Sequence, residues 1–145
     1  MNTSQLEAYM LNDPFIRKYY GGVVAIDQLP IFPDKPTIFI VNCDPISLPG
    51  SHWVVLYLDS ICEHFDSAAF KPRSGFDTYL TVQGPKYLYN TKRIQSYHSD
   101  TCGLFCLFYC YFRCRGYSFL EILNMFSGNL EMNETIVKAF FVATV

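Results

Sequence analysis

Charge is scarce in this sequence: 17% of its residues are charged, and they are scattered rather than gathered into runs. With a formal net charge of -2 and a pI near 5.8, the overall balance does not point to a nucleic-acid binder. Lys86, Lys92, Arg93, Arg113 and Arg115 are the candidates for a local basic patch, against the plainer reading of solvated surface. No apolar run is long enough to span a bilayer. The start, Met1-Asn2-Thr3-Ser4-Gln5, has no apolar stretch behind a basic segment, so it does not read as a secretory signal. The expectation is an intracellular protein, not a secreted one, and its six cysteines are then expected as free thiols rather than a disulfide framework. Neither an internal repeat nor a C-x-x-C pair is present.

What is abundant is apolar and aromatic surface. Half of the 145 residues are hydrophobic and 17% are aromatic, which argues against disorder. A chain of this length buries roughly 70% of its unfolded surface, so one domain spanning residues 1–145 is expected.

Ser4-Gln5-Leu6-Glu7 has the form of a capping box, and Leu6, Met10 and Leu11 follow at helical spacing, predicting a first helix to Asp13. Pro14 disfavours helical geometry in the residue before it, and Gly21-Gly22 permits a turn into Val23-Val24-Ala25-Ile26. Pro30, Pro33 and Pro36 mark a loop. Thr37 to Cys43, His52 to Leu58 and Ile61 to Phe65 read as strands, the last two joined by a tight turn at Asp59-Ser60. The near-continuous hydrophobicity of Trp53 to Leu58 predicts a central strand covered on both faces. Phe76 to Val82 reads as a short helix, and Tyr87, Tyr89 and Ile94 suggest a further strand. Cys102 to Arg115 is the strongest helix, apolar almost all round until Arg113 and so expected inside the fold. Gly116 stops it, and Ser118 to Phe126 and Glu134 to Val142 read as outer helices. Helices before and after a group of strands predict an α+β domain, with a central mostly antiparallel or mixed sheet, a buried helix and flanking helices.

A cysteine nucleophile needs its thiolate, and both a helix N-terminus and a nearby imidazole lower a thiol pKa. Cys102 has the first by position: Thr101 or Asp100 is placed to cap the helix, and Gly103 would leave space for a substrate backbone. Cys106, Cys110 and Cys114 follow at intervals of four on one helix face and read as core residues, as do Cys43 and Cys62 in apolar strands. The same spacing does not make a zinc site, because Cys102 and Cys114 would lie about 18 Å apart. One metal cannot gather all four, and no metal site is expected. Of the three histidines, His52 opens the central strand, His64 lies inside one, and His98 would need a tight loop to reach Cys102. The hairpin would place Asp66 beside His52, able to accept from the imidazole and fix its tautomer.

Taken together, Gly50-Ser51-His52-Trp53, Phe65-Asp66-Ser67, Gln95 and Asp100-Thr101-Cys102-Gly103-Leu104-Phe105-Cys106 resemble the successive motifs of the adenovirus protease family. The resemblance implies an adenain-like fold, circularly related to papain-like cysteine proteases, with Cys102 as nucleophile, His52 as base and Asp66 as orienter. It also implies Gln95 as oxyanion donor beside the Cys102 amide, with Trp53 and Gly103 framing a narrow substrate channel. The seven-residue interval from Gln95 to Cys102 is similar to the adenoviral one. The aspartate at position 66 stands where adenoviral enzymes usually carry glutamate and is more like the ubiquitin-like-protein proteases, and the chain is also shorter than the adenoviral enzymes.

The expected function is a cysteine endopeptidase maturing viral capsid or core precursors at small, Gly-containing sites, acting as a monomer in the host nucleus or cytoplasm or in the virion. The alternative is a protease that deconjugates ubiquitin or a ubiquitin-like protein after Gly-Gly, to be favoured by a large exposed apolar patch beside the site. A catalytically dead binding domain is a third reading, against which stand four competent residue types. No cofactor is required by the sequence. An activating peptide or DNA is implied by the resemblance alone, and nucleic acid finds no support in the composition.

Overall fold

The apolar run from Trp53 to Leu58 is stable only where both of its faces are removed from water, and the architecture is built around it. In the computed structural model, which describes residues 1–145, the chain runs α1 (Thr3–Asn12), α2 (Pro14–Arg17), β1 (Tyr20–Ala25), β2 (Thr37–Asn42), β3 (Trp53–Leu58), β4 (Cys62–Phe65), α3 (Ser74–Gln83), β5 (Tyr87–Tyr89), α4 (Cys102–Arg113), α5 (Phe119–Leu123) and α6 (Leu130–Thr144). The strands form one mixed sheet in the order β1-β2-β3-β4-β5. The outer pairs are parallel and the inner pairs antiparallel. This is the expected α+β architecture, with β3 at its centre.

Alternation along β2 and β3 divides the interior in two. Ile38, Ile40, Val55 and Tyr57 face α1, α4, α5 and α6, where Leu6, Met10, Phe105, Tyr109, Ile122 and Val137 complete the larger core. Phe39, Val41, Val54, Leu56 and Leu58 face the opposite way, onto Phe76 and Leu80 of α3. Each such fully buried side chain contributes about 1.5–3 kcal/mol from the apolar area removed from water. Helix α4 lies deep, with eight of its residues buried, as its all-round apolar composition predicts. A polar bolt joins it to the sheet: Tyr109 donates to Glu63 of β4, and Arg113 grips the same carboxylate at 2.9 Å.

Several boundaries differ from the sequence reading. The capping box of α1 is made by Asn2 and Gln5, two residues earlier than Ser4 and Glu7. Asp13 is extended as Pro14 requires, but its carboxylate then caps a second short helix that opens with the proline. Gly21 and Gly22 lie within β1 instead of before it, where the register slips between Tyr20 and Gly22. Ile94 falls outside β5, and Ile26 begins a single 3-10 turn. Helix α4 stops at Arg113, short of Arg115, and Gly116 follows with φ at 92°. Helix α5 is shorter than expected, whereas α6 starts four residues before Glu134, capped by Asn129. That helix is not merely packed outside, because Asn133 and Glu134 are buried. The supposed basic patch is partly spent inside the molecule, Arg113 on Glu63 and Arg115 on Asp13. No helix is long and apolar enough to cross a membrane.

His64 of β4 is buried, stacks edge-on against Phe76 and leaves its Nδ1 without a hydrogen-bond partner. Burial pushes its pKa down to about 4 from an ordinary 6.5. The unfolded chain therefore binds a proton between those values that the folded one does not, so stability drops as pH falls from about 6.5 to about 4. Chemical denaturation of wild type and His64→Leu across that window is expected to show a loss of up to about 3 kcal/mol in the wild type that is absent in the variant.

Candidate active site

The turn after β3 returns the chain along β4 with Val55 opposite Phe65, so the residues just outside the pairing, His52 and Asp66, meet at one end of the sheet. Asp66 Oδ1 lies 2.6 Å from His52 Nε2. Both groups are sheltered, with 17% of the His52 side chain and 4% of the Asp66 side chain exposed. Asp66 is itself fixed. Its backbone N–H donates to Asn90 Oδ1 and its carbonyl accepts from Asn90 Nδ2, at 2.9 and 2.6 Å. The amide of Ala68 donates to the same Oδ1 as His52, at 2.8 Å. With Nε2 engaged by the carboxylate, Nδ1 is the ring nitrogen left to exchange a proton with a neighbour.

That neighbour is Cys102, the first residue of α4, which lines the same cleft as His52 and whose thiol and imidazole shift each other's titration. Burial acts to raise the Cys102 pKa, but the hydrogen bond with His52, backbone N–H groups of Trp53 and Gly103 and the imidazolium charge outweigh it, and the net direction is down. Burial likewise acts to lower the His52 pKa, and the hydrogen bonds to Asp66 and Cys102 overcome it, raising it to about 9. The other five cysteines shift the opposite way. Burial pushes Cys43 and Cys114 up to about 12, and raises Cys62, Cys106 and Cys110. All six are free thiols, and Cys102 is the one whose thiolate is favoured.

A cleft of about 530 Å³ opens over the pair, with His52, Trp53, Gln95, Asp100 and Cys102 among its lining residues. Its far wall is the β2–β3 loop, where Ile46 and Leu48 are exposed on the rim. Gln95 is buried. Its Oε1 accepts from Ser67 Oγ at 2.5 Å, and its Nε2 donates to the carbonyl and hydroxyl of Ser99, each at 3.0 Å. His64 points to the α3 side of the sheet and His98 is exposed, so neither joins the site.

Two sequence expectations change. Gly103 does not line the cleft: a Cβ there would meet Met1 Cβ at 3.3 Å and Leu6 Cδ2 at 3.5 Å, so its lack of a side chain admits the start of the chain and α1 rather than a substrate. Thr101 stands at the N-cap of α4 but makes no side-chain cap, its hydroxyl turning to Glu134 instead. Asn90, Ser99 and Glu134 were invisible in the sequence as members of the site, because no recognisable pattern marks them, whereas Ser67 stood in a quoted motif without a role.

A sheltered cysteine, imidazole and carboxylate at the joint of a buried helix and a mixed sheet define an α+β fold of the adenain and ubiquitin-like-protein-protease kind. Among solved structures the chain is similar to the ASFV pS273R protease, with a TM-score of 0.60 and 18% identity over 83% of this chain. The Se-Met form of that protease aligns with a TM-score of 0.52 and 23% identity over 69% of this chain. At these identities the likeness establishes the fold. The chain spans 59% and 43% of the length of those two structures, respectively. No protein-family model matches the sequence, and no curated protein matches it either.

The pairing of Cys102 with His52 is tested by the pH dependence of iodoacetamide labelling, read residue by residue by mass spectrometry. Wild-type labelling of Cys102 is expected to rise with a midpoint below the ordinary thiol value of 9.0. In His52→Ala the burial remains without the imidazole, so the midpoint should move above that value. An unmoved midpoint would remove His52 from the pair.

Proposed function

We propose that the chain is a cysteine endopeptidase of the adenovirus-protease type. The observation that carries this reading is the convergence of a depressed thiol and an imidazole raised to about 9 on one cleft, with a fixed carboxylate buried behind the imidazole. That combination shifts the pair toward the thiolate and imidazolium. The thiolate attacks the scissile carbonyl carbon, forming the C–S bond and displacing the carbonyl electrons onto oxygen. In this reading the first amides of α4 donate to that oxygen, and Gln95, which lines the cleft, joins them by turning an Nε2 hydrogen away from Ser99. His52 then gives its Nδ1 proton to the departing amine as the C–N bond breaks. In the second half the neutral ring removes a proton from water as the water oxygen attacks the thioester carbon; the C–S bond then breaks, releasing the carboxylic acid and restoring the Cys102 thiolate and the His52 imidazolium. Throughout, Asp66 holds the ring in one tautomer and stabilises its charged form.

The fold shared with a protease of viral origin supports a role in processing viral precursor proteins, and the family resemblance points to small, glycine-containing sites. The exposed Ile46 and Leu48 on the cleft rim favour a second reading, in which the substrate is a folded ubiquitin-like protein whose apolar surface covers them. The chemistry above needs no cofactor. Whether an activating peptide or DNA enhances it is decided by adding each to the assay.

A panel of peptide and ubiquitin-like vinyl sulfones separates the substrates: labelling of Cys102 by Gly-ending peptides alone supports precursor processing, and labelling by the intact ubiquitin-like probes supports the second reading. No adduct with any probe, together with no loss of peptide cleavage in Cys102→Ala, would reject the peptidase. Gln95→Ala is expected to lower turnover of an amide substrate by about 100-fold to 1000-fold while iodoacetamide still labels Cys102 at close to the wild-type rate, because alkylation develops no oxyanion. Asp66→Asn should lower turnover more than it lowers the melting temperature.

A further inference from the structure

Glu134 of α6 is 4% exposed, yet no cation answers it. The four ion pairs of the molecule join His52 to Asp66, Arg73 to Asp44, Arg113 to Glu63 and Arg115 to Asp13. A buried carboxylate without a counter-charge is costly and persists only where hydrogen-bond donors replace the lost water. Here every donor comes from one segment, residues 96–101. The Thr101 hydroxyl is shared between the two carboxylate oxygens, at 2.8 and 2.9 Å, the Ser96 N–H reaches one of them at 3.3 Å, and the Ser99 hydroxyl lies 3.5 Å away. Neighbours on α6 extend the grip: Glu131 accepts from Ser96 Oγ at 3.1 Å, and Asn133 Nδ2 donates to the Ile94 carbonyl at 3.1 Å.

The held segment carries both groups that would meet an oxyanion. At one end, Gln95 directs its Nε2 at Ser99, the residue whose hydroxyl lies between Glu134, Thr101 and the Ser96 carbonyl. At the other end, Thr101 delivers the chain into α4 and sets the direction of its first amide. An apolar side chain of similar size would fill the space on α6 without the desolvation cost, which leaves the geometry of the segment as what the carboxylate supplies. We propose that Glu134 is a positioning residue for the oxyanion site, acting through Ser99 on the Gln95 amide and through Thr101 on the Cys102 amide. This rests on the peptidase reading above and assigns within it a role to a helix that does not line the cleft.

Two variants test it. Glu134→Gln preserves volume and one acceptor, and Glu134→Ala removes the carboxyl altogether. Turnover of an amide substrate is expected to fall by up to about 100-fold, the cost of a misplacement near 1 Å, with KM little changed and Cys102 labelling by iodoacetamide within about 2-fold of wild type. Glu134→Asp, which keeps the charge, should recover part of the loss. The deciding measurement is the cycle with Gln95→Ala: because Glu134 acts in part through that amide, the double variant is expected to lose less turnover than the product of the two single losses. Additive losses, or parallel losses of labelling, turnover and melting temperature, would overturn the inference by making Glu134 a structural residue only. Hydrogen exchange at the amides of residues 95–102 tests the same point without a substrate, since unchanged protection in Glu134→Gln would also overturn it. Wild-type cleavage and its loss in Cys102→Ala report separately on the peptidase reading.

Discussion

The hydrogen bond between His52 and Asp66 depends on strand register, and the site depends on that bond. Pairing Val55 with Phe65 leaves the two residues side by side just beyond the ladder. A slip of one residue would turn every side chain of β4 to the opposite face, burying Cys62 and His64 where Glu63 and Phe65 now meet α4. The register is specified because both faces of these strands are covered. Phe65 stacks on Tyr109 at 4.5 Å while His64 meets Phe76 on the other side, so no alternative pairing satisfies both layers.

The same packing solves a conflict at Cys102. A thiol sheltered in an apolar setting resists ionisation, as the other five cysteines show, and Cys106 on the next turn of the same helix is the plainest contrast. What separates the two positions is the helix end. At Cys102 the backbone N–H groups have no carbonyl of a preceding turn to bond and can face the sulfur, and the imidazole lies alongside. Burial of α4 thus fixes the Cys102 thiol in place, while its first turn supplies the polarity that burial removes.

Polar groups around the cleft are joined into one chain of contacts instead of standing as separate pairs. Asn90 holds Asp66 by its backbone, Ser67 holds the side-chain oxygen of Gln95, and Ser99, Thr101 and Glu134 continue from there to the start of α4. Networks of this kind are favourable only when every member is satisfied, because an unpaired buried acceptor forfeits its water without return. Removing Glu134 or Ser67 therefore acts on residues far from the point of change in sequence.

The sequence by itself determined the strands and the buried helix and singled out Cys102 and His52 as candidates, because periodicity and composition are local: Trp53 to Leu58 cannot be half exposed, and Cys102 to Arg113 has almost no polar face to offer water. It also determined that Asp66 would meet His52, since a short turn ties the start of one strand to the end of the next. Gln95 was recognisable only through resemblance, having no local pattern of its own. Gly103 was misread because the sequence shows that space is left at the helix start but not what fills it, which is Met1 and Leu6 from the other end of the chain. Glu134 lay hidden for the same reason. It stands 33 residues from Thr101, and only the packing of α6 across the start of α4 brings a carboxylate to donors whose sequence neighbours give no sign of it.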